Sequence, residues 1–227
     1  DADKGAAVRS EISGMAITLQ DCVVSGNDAG EGGGFYLKNA TVDIRDCSFE
    51  GNQASSSGGA IRLEASEATI DGVSFSGNLA AKGGAVYVKT SDLMVSDSDM
   101  ESNIVSDDGG ALFLEDSWVG LLDSVLIGNE ASDDGGAIYM DGALLECEAT
   151  TAGLAALEGN LAGSLGGAVF VQGMDASYGA TVISTSCDWG SATDDNGPDD
   201  LHLHGGGTSY IGFGAAESLS CDDASCW

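Results

Sequence analysis

Two aspartate doublets, Asp107-Asp108 and Asp133-Asp134, stand 26 residues apart, and each runs straight into Gly-Gly. If residues at that separation lie one above the other, four carboxylates crowd together. Such a set is unfavourable unless a cation sits among them, protons are retained, or the side chains splay into water. Oxygen-only clusters suit calcium. Asp194, Asp195, Asn196, Asp199 and Asp200 form a second calcium candidate. Their spacing is not that of an EF-hand, and the Asn-Gly-Pro turn explains part of the pattern. His202 and His204 alternate along an expected strand, a spacing compatible with a metal but lacking a third ligand.

Tyr36, Tyr87, Phe113, Tyr139 and Phe170 fall in one column interrupted by Arg62, expected to face outward. This strip is a candidate for binding sugar faces or a neighbouring subunit, weighed against simple stacking that stabilises parallel strands. Cys22 and Cys47 share a column in consecutive repeats. Stacked strands about 4.7–4.9 Å apart fall inside the Cα window of a disulfide, about 4.4–6.8 Å, so a Cys22–Cys47 bridge is expected. Cys221 and Cys226 are expected to close a small loop, unless one reaches Cys187, and Cys147 reads as core.

The element that must position all of these is a repeat. Gly26-Asn27, Gly51-Asn52, Gly77-Asn78, Ser102-Asn103, Gly128-Asn129 and Gly159-Asn160 recur at steps of 25, 26, 25, 26 and 31 residues. Three residues before each asparagine stands Val24, Phe49, Phe75, Met100, Leu126 or Leu157. A few residues after it comes Gly-Gly or Gly-Ala with an apolar follower, as in Gly59-Ala60-Ile61. A period in the twenties means one supersecondary unit stacked on itself. Alternations such as Ile61-Arg62-Leu63 read as strands with one buried face, and no unit shows a helical stripe. The expected fold is therefore all-β: a single-stranded parallel β-helix of about eight turns, three short strands to a turn. Residues 1–187 are expected to form the repeats and 188–227 an irregular C-terminal cap of the same domain. The column Asn27, Asn52, Asn78, Asn103, Asn129, Asn160 is expected to be a structural ladder, because a carboxamide both donates and accepts at a bend.

Charge narrows the partners. The chain of 227 residues carries −30, and all seven Lys and Arg lie within the first 89 residues, which net −5. Nucleic acid and anionic membrane surfaces are poor partners for it, and no apolar run is long enough to span a membrane. Six cysteines in an acidic chain point to an oxidising compartment if they pair. No leader-like segment opens the chain, which reads as a mature or trimmed start.

The FxxN and GGA[ILV] phrases over residues 5–172 resemble the repeats of the chlamydial polymorphic outer membrane proteins and related bacterial surface proteins. That resemblance implies a right-handed β-helix, the hand favoured by the usual crossover rule, and an adhesin-like, secreted or cell-surface role. Within residues 173–227 no outer-membrane barrel is expected. A glycosidase needs two carboxylates at a set separation, and nothing selects two among 37 acids. A lyase needs a base, and no Lys or Arg follows Lys89. The expectation is a non-catalytic structural protein, adhesive or fibre-forming, whose less acidic end receives the acidic end of the next copy, head to tail. The alternative is a monomeric adhesin or carbohydrate-binding module for surface glycans.

Overall fold

A computed structural model describes residues 2–150, 155–172, 181–189, 196–198, 200–204, 210–213 and 225–226. Each turn visits four sheets rather than three. Sheet A holds the short strands after the asparagines (Asp28–Glu31, Gln53–Ser57), and sheet B those after the glycines (Phe35–Lys38, Ile61–Glu64). Sheet C holds the longest strands (Ala40–Arg45, Glu67–Asp71), and sheet D those before the asparagines (Ser48–Glu50, Ser74–Ser76). The strand missed in the repeat is the sheet A one, which shrinks to pairs such as Leu79–Ala80 and Ile104–Val105. Two residues carry no periodicity, and Leu79 and Ile104 face solvent.

Pairing in sheets B, C and D is parallel and in register from turn to turn, so Phe35, Ile61, Val86, Leu112, Ile138 and Val169 stack in one column; sheet A has one register shift, between Ala29 and Glu31. Among the described residues six turns contribute to all four sheets and two further turns are partial, where about eight turns were expected. The coil does not stop at residue 188. Leu201–His204 adds a parallel strand to sheet B and Tyr210–Phe213 one to sheet C. Among the described residues only Ser225–Cys226 turns back, pairing antiparallel on Leu201–His204.

The interior is a continuous aliphatic and aromatic column. Phe49, Phe75, Ile70, Leu93, Leu112 and Leu126 are fully buried, each contributing roughly 1.5–3 kcal/mol, and the Phe49 and Phe75 rings stack at 5.0 Å.

Three of the corners follow one rule: a residue with positive φ, then a polar residue that bonds the next turn. At the D-to-A corner Gly51 (φ 58°) precedes Asn52, whose Nδ2 donates to Val24 O at 2.9 Å and to Asn78 Oδ1 at 3.0 Å. The same pattern runs through Asn78, Asn103, Asn129 and Asn160. At the B-to-C corner Ser66, Ser91 and Ser117 form a second ladder: Ala40 N, Ser66 N and Ser91 N each donate to the hydroxyl one turn on. At the C-to-D corner Ser98 and Ser124 form a third, accepting from Val73 N and Ser98 N. The A-to-B corner is instead a place of close approach. A Cβ at Gly59 would lie 2.3 Å from Gly84 O, so no side chain fits there.

Candidate functional site

The acidic corner is less open than the sequence implied. Asp108, Asp133 and Asp134 each place a carboxylate oxygen within 4.8 Å of the others, while Asp107 is exposed and outside the group. Lys82 Nζ lies 3.1 Å from Asp108 Oδ2, and the Leu165 N–H donates to Asp134 Oδ1 at 3.1 Å. Burial, reinforced by Asp133, holds the Asp134 carboxyl above its ordinary range. Three hard oxygens are a donor set suited to calcium, but two of the three carboxylates already have protein partners.

The second acidic candidate divides differently. Asp194, Asp195 and Asp199 lie outside the described residues. Asn196 and Asp200 are buried, and Asn196 continues the ladder as a further rung: its Oδ1 accepts from Asn160 Nδ2 at 2.9 Å. Its Nδ2 donates to Asp200 Oδ1 at 2.9 Å. Asp200 is thus turned inward onto an amide rather than out toward an ion. The rung was missed because it stands 36 residues from Asn160; the Asn196-Gly197 pair was its only signal.

The aromatic strip, expected to face outward, is largely buried. Tyr36, Tyr87, Phe113 and Phe170 are at most 7% exposed, and Tyr139 is half-buried. The rings do stack, at 5.0 Å for Tyr87–Phe113, 4.7 Å for Phe113–Tyr139 and 5.1 Å for Tyr139–Phe170. Long cationic arms lie over them. Lys4 Nζ sits 4.1 Å from the Tyr36 centroid, Arg62 Cζ 4.5 Å from Tyr87, and Lys82 Nζ 4.7 Å from Phe113. Such contacts contribute about 0.5–2 kcal/mol each. The phenols are tied down as well: Tyr36 Oη donates to Glu64 Oε2 at 2.9 Å and Tyr87 Oη to Glu115 Oε2. Burial, then Glu115, pushes the Tyr87 hydroxyl well above its usual range. Arg62 does not break the column; its guanidinium fills the place of a ring.

The histidines extend this stack. His202 pairs with Phe170 in register and stacks on it at 5.5 Å, and His204 lies 5.9 Å from the same ring. Among the described residues neither belongs to a group of three metal-ligating side chains.

The cysteines are rearranged. Cys22 and Cys47 are thiols, not a disulfide. Cys47 occupies the third ladder as a serine would: its Sγ accepts from Cys22 N at 3.3 Å and donates to Arg45 O at 3.1 Å. Burial, then the Cys47 contact, raises the Cys22 thiol to about 12. The disulfide joins Cys147 to Cys187, with Cα atoms 6.2 Å apart. Cys147 is therefore core and crosslink together. Cys221 and the side chain of Cys226 lie outside the described residues.

Sequence reasoning also passed over Trp118, on the outer face of sheet C. Glycine at position 120, two residues along the same strand, was the available signal. Trp118 lines two hollows of about 250 and 650 Å³, which adjoin two others of about 450 and 70 Å³. No helix among the described residues is long and apolar enough to cross a membrane.

A comparison with curated proteins finds no match. The description of a right-handed β-helix region matches residues 3–151, well over half of the chain, and with the in-register coil seen here the chain belongs to the right-handed β-helix family.

Proposed function

We propose that this chain is a non-catalytic adhesive rod, secreted or displayed at a cell surface. The observation that carries the reading is the asparagine ladder, which runs from Asn27 to Asn196 without a gap. Among the described residues it bonds each turn to the next, with shorter Ser and Cys runs at two other corners, which makes a stiff column whose outer faces are its working parts. The Cys147–Cys187 disulfide fits an oxidising compartment. The charge of −30 favours solubility and disfavours anionic partners. The FxxN and GGA phrases resemble repeats of surface adhesins and support the same role.

Head-to-tail growth by strand addition is the weaker form of this reading. Ser225–Cys226 runs antiparallel along Leu201–His204 and covers the edge that an incoming copy would use in sheet B. Discrete rods that attach to intact cells are the expected result of electron microscopy and adhesion assays. Filaments that dissolve with a chelator would restore the head-to-tail form, and release of reducing ends or unsaturated uronates from a polysaccharide would overturn the non-catalytic reading.

A further inference from the structure

The outer face of sheet C carries features that stacking of turns does not explain. Trp118 lies back along its strand rather than standing off it. A Cβ at Gly120 would sit 3.0 Å from Trp118 Cη2 and 3.0 Å from Met94 Cε, so the missing side chain is what lets the indole and the thioether settle against the sheet. The indole N–H donates to Glu146 Oε2 at 3.2 Å, one turn on, which pins the ring. Trp118 is only half-buried and borders two hollows, of about 250 and 650 Å³. The first continues into a third, of about 450 Å³, through Thr41, Glu67 and Asp92. Together they make a trough running along the column over several turns.

The chemistry of the trough is consistent along its length. Its charged side chains are acids only: Glu67 and Asp92 border the two hollows on one side of Trp118, and Asp116 borders the hollow on the other. All three are exposed. Thr41, Thr69 and Thr90 line the same hollows. An extended peptide would seek a free sheet edge, and here the backbone of sheet C is paired on both sides through the middle turns. What suits a pinned aromatic face among acceptors is a ring with an apolar C–H face and a rim of donors.

We propose that this trough binds a linear oligosaccharide of neutral or amine-bearing sugars. Trp118 is the stacking platform, and Glu67, Asp92 and Asp116 accept from hydroxyl or ammonium groups. Acidic sugars are excluded by the same carboxylates, and a protonated amine beside the indole gains a cation–π contact. The inference rests on the adhesive reading and names the class of ligand for it.

The test uses the purified chain with three probes: chitohexaose (neutral), its deacetylated chitosan counterpart (amine-bearing) and polygalacturonate (acidic). The first two are expected to bind and shift tryptophan emission, and the third is not. Trp118→Ala should weaken binding at least about tenfold with an unchanged circular dichroism spectrum. Trp118→Phe should keep most of it, which guards against a folding defect in the alanine variant. Glu67→Gln with Asp92→Asn should weaken chitosan more than chitohexaose. Unchanged affinity in Trp118→Ala, equal binding of polygalacturonate, or no binding of either favoured probe overturns the proposal. A parallel adhesion assay on intact cells separates the two readings. Adhesion that survives Trp118→Ala sinks the trough and leaves the rod, whereas binding of the sugars without adhesion sinks the rod's proposed role.

Discussion

The two halves of the column share corners but follow different charge rules. From Arg9 to Glu115, the outer columns of sheet B alternate in sign or trade a ring for a cation. Lys38, Glu64, Lys89 and Glu115 are in register on successive turns, with Lys38–Glu64 and Lys89–Glu115 paired at 2.5 Å. Arg62 lies between Tyr36 and Tyr87 in the same way. Above Glu115 the alternation ends. Asp141 occupies the next place in that column, one of its oxygens has no hydrogen-bond partner, and burial with Glu115 holds its carboxyl above the ordinary range. Register is thus neutral as to sign: a parallel coil makes neighbours of whatever stands one repeat apart, pairing opposites on sheet B of the N-terminal half while setting Glu67 beside Asp92 on sheet C. The C-terminal half has its covalent bond instead.

Breaking that bond should give the largest effect. Cys147→Ala with Cys187→Ala opens a loop of 40 residues and is expected to cost about 4 kcal/mol. Hydrogen exchange should accelerate above residue 140 and stay unchanged below residue 90. Uniform acceleration would mean that the halves unfold as one. Next is Asn103→Ala, where the halves meet. It strips the acceptor of Asn78 N and Nδ2 and the donor to Phe75 O and Asn129. A loss of about 3 kcal/mol by chemical denaturation is expected, with faster exchange on both sides.

Arg62→Ala should cost about 2 kcal/mol, felt in the N-terminal half alone, through the lost contacts with Tyr36, Tyr87, Glu31 and Glu64. Arg62→Lys recovering full stability would show that charge matters there and the planar group does not.

Titration should separate the halves with a smaller effect. Asp134 and Asp141 have raised folded-state values. Their stabilising contribution is therefore complete below the ordinary aspartate range and lost as pH rises through the raised values. Glu64 is held low chiefly by its Lys38 hydrogen bond. At Glu115 burial pushes upward, but the Lys89 and Tyr87 hydrogen bonds outweigh it. These contributions are present above the ordinary glutamate range and lost as pH falls through the lowered values. The melting temperature should climb as pH falls from neutral toward the ordinary aspartate range and drop once pH falls through the lowered glutamate values, and Asp134→Asn should flatten the climb. Calcium should have the least effect, under about 1 kcal/mol, because Lys82 and Leu165 already engage two of the three carboxylates. A clear calcium-dependent rise in melting temperature would give that corner a ligand.

What could be read beforehand was whatever the period alone determines. The asparagine column and the inward aliphatics needed only the spacing of 25 or 26. The lost features depend on contacts between different columns. The aromatic strip has the right period, yet Lys4, Arg62 and Lys82 reach over it from other positions. Cys47 has the spacing of a disulfide partner, yet its sulfur does the work of the hydroxyls at Ser98 and Ser124. Asn196 failed the opposite way, having the right chemistry at a step the repeat does not use. Trp118 stands in the column of Thr41, Glu67, Asp92 and Leu144, whose residue types do not repeat, so periodicity was silent about its side chain.

Asn129 meets Asn160 with the same pair of bonds that joins Asn103 to Asn129, although 31 residues separate the first pair and 26 the second. Chain spliced in between sheets C and D leaves the stitching inside untouched. Such a molecule can acquire new outer loops one bend at a time, keeping its spine while its silhouette changes.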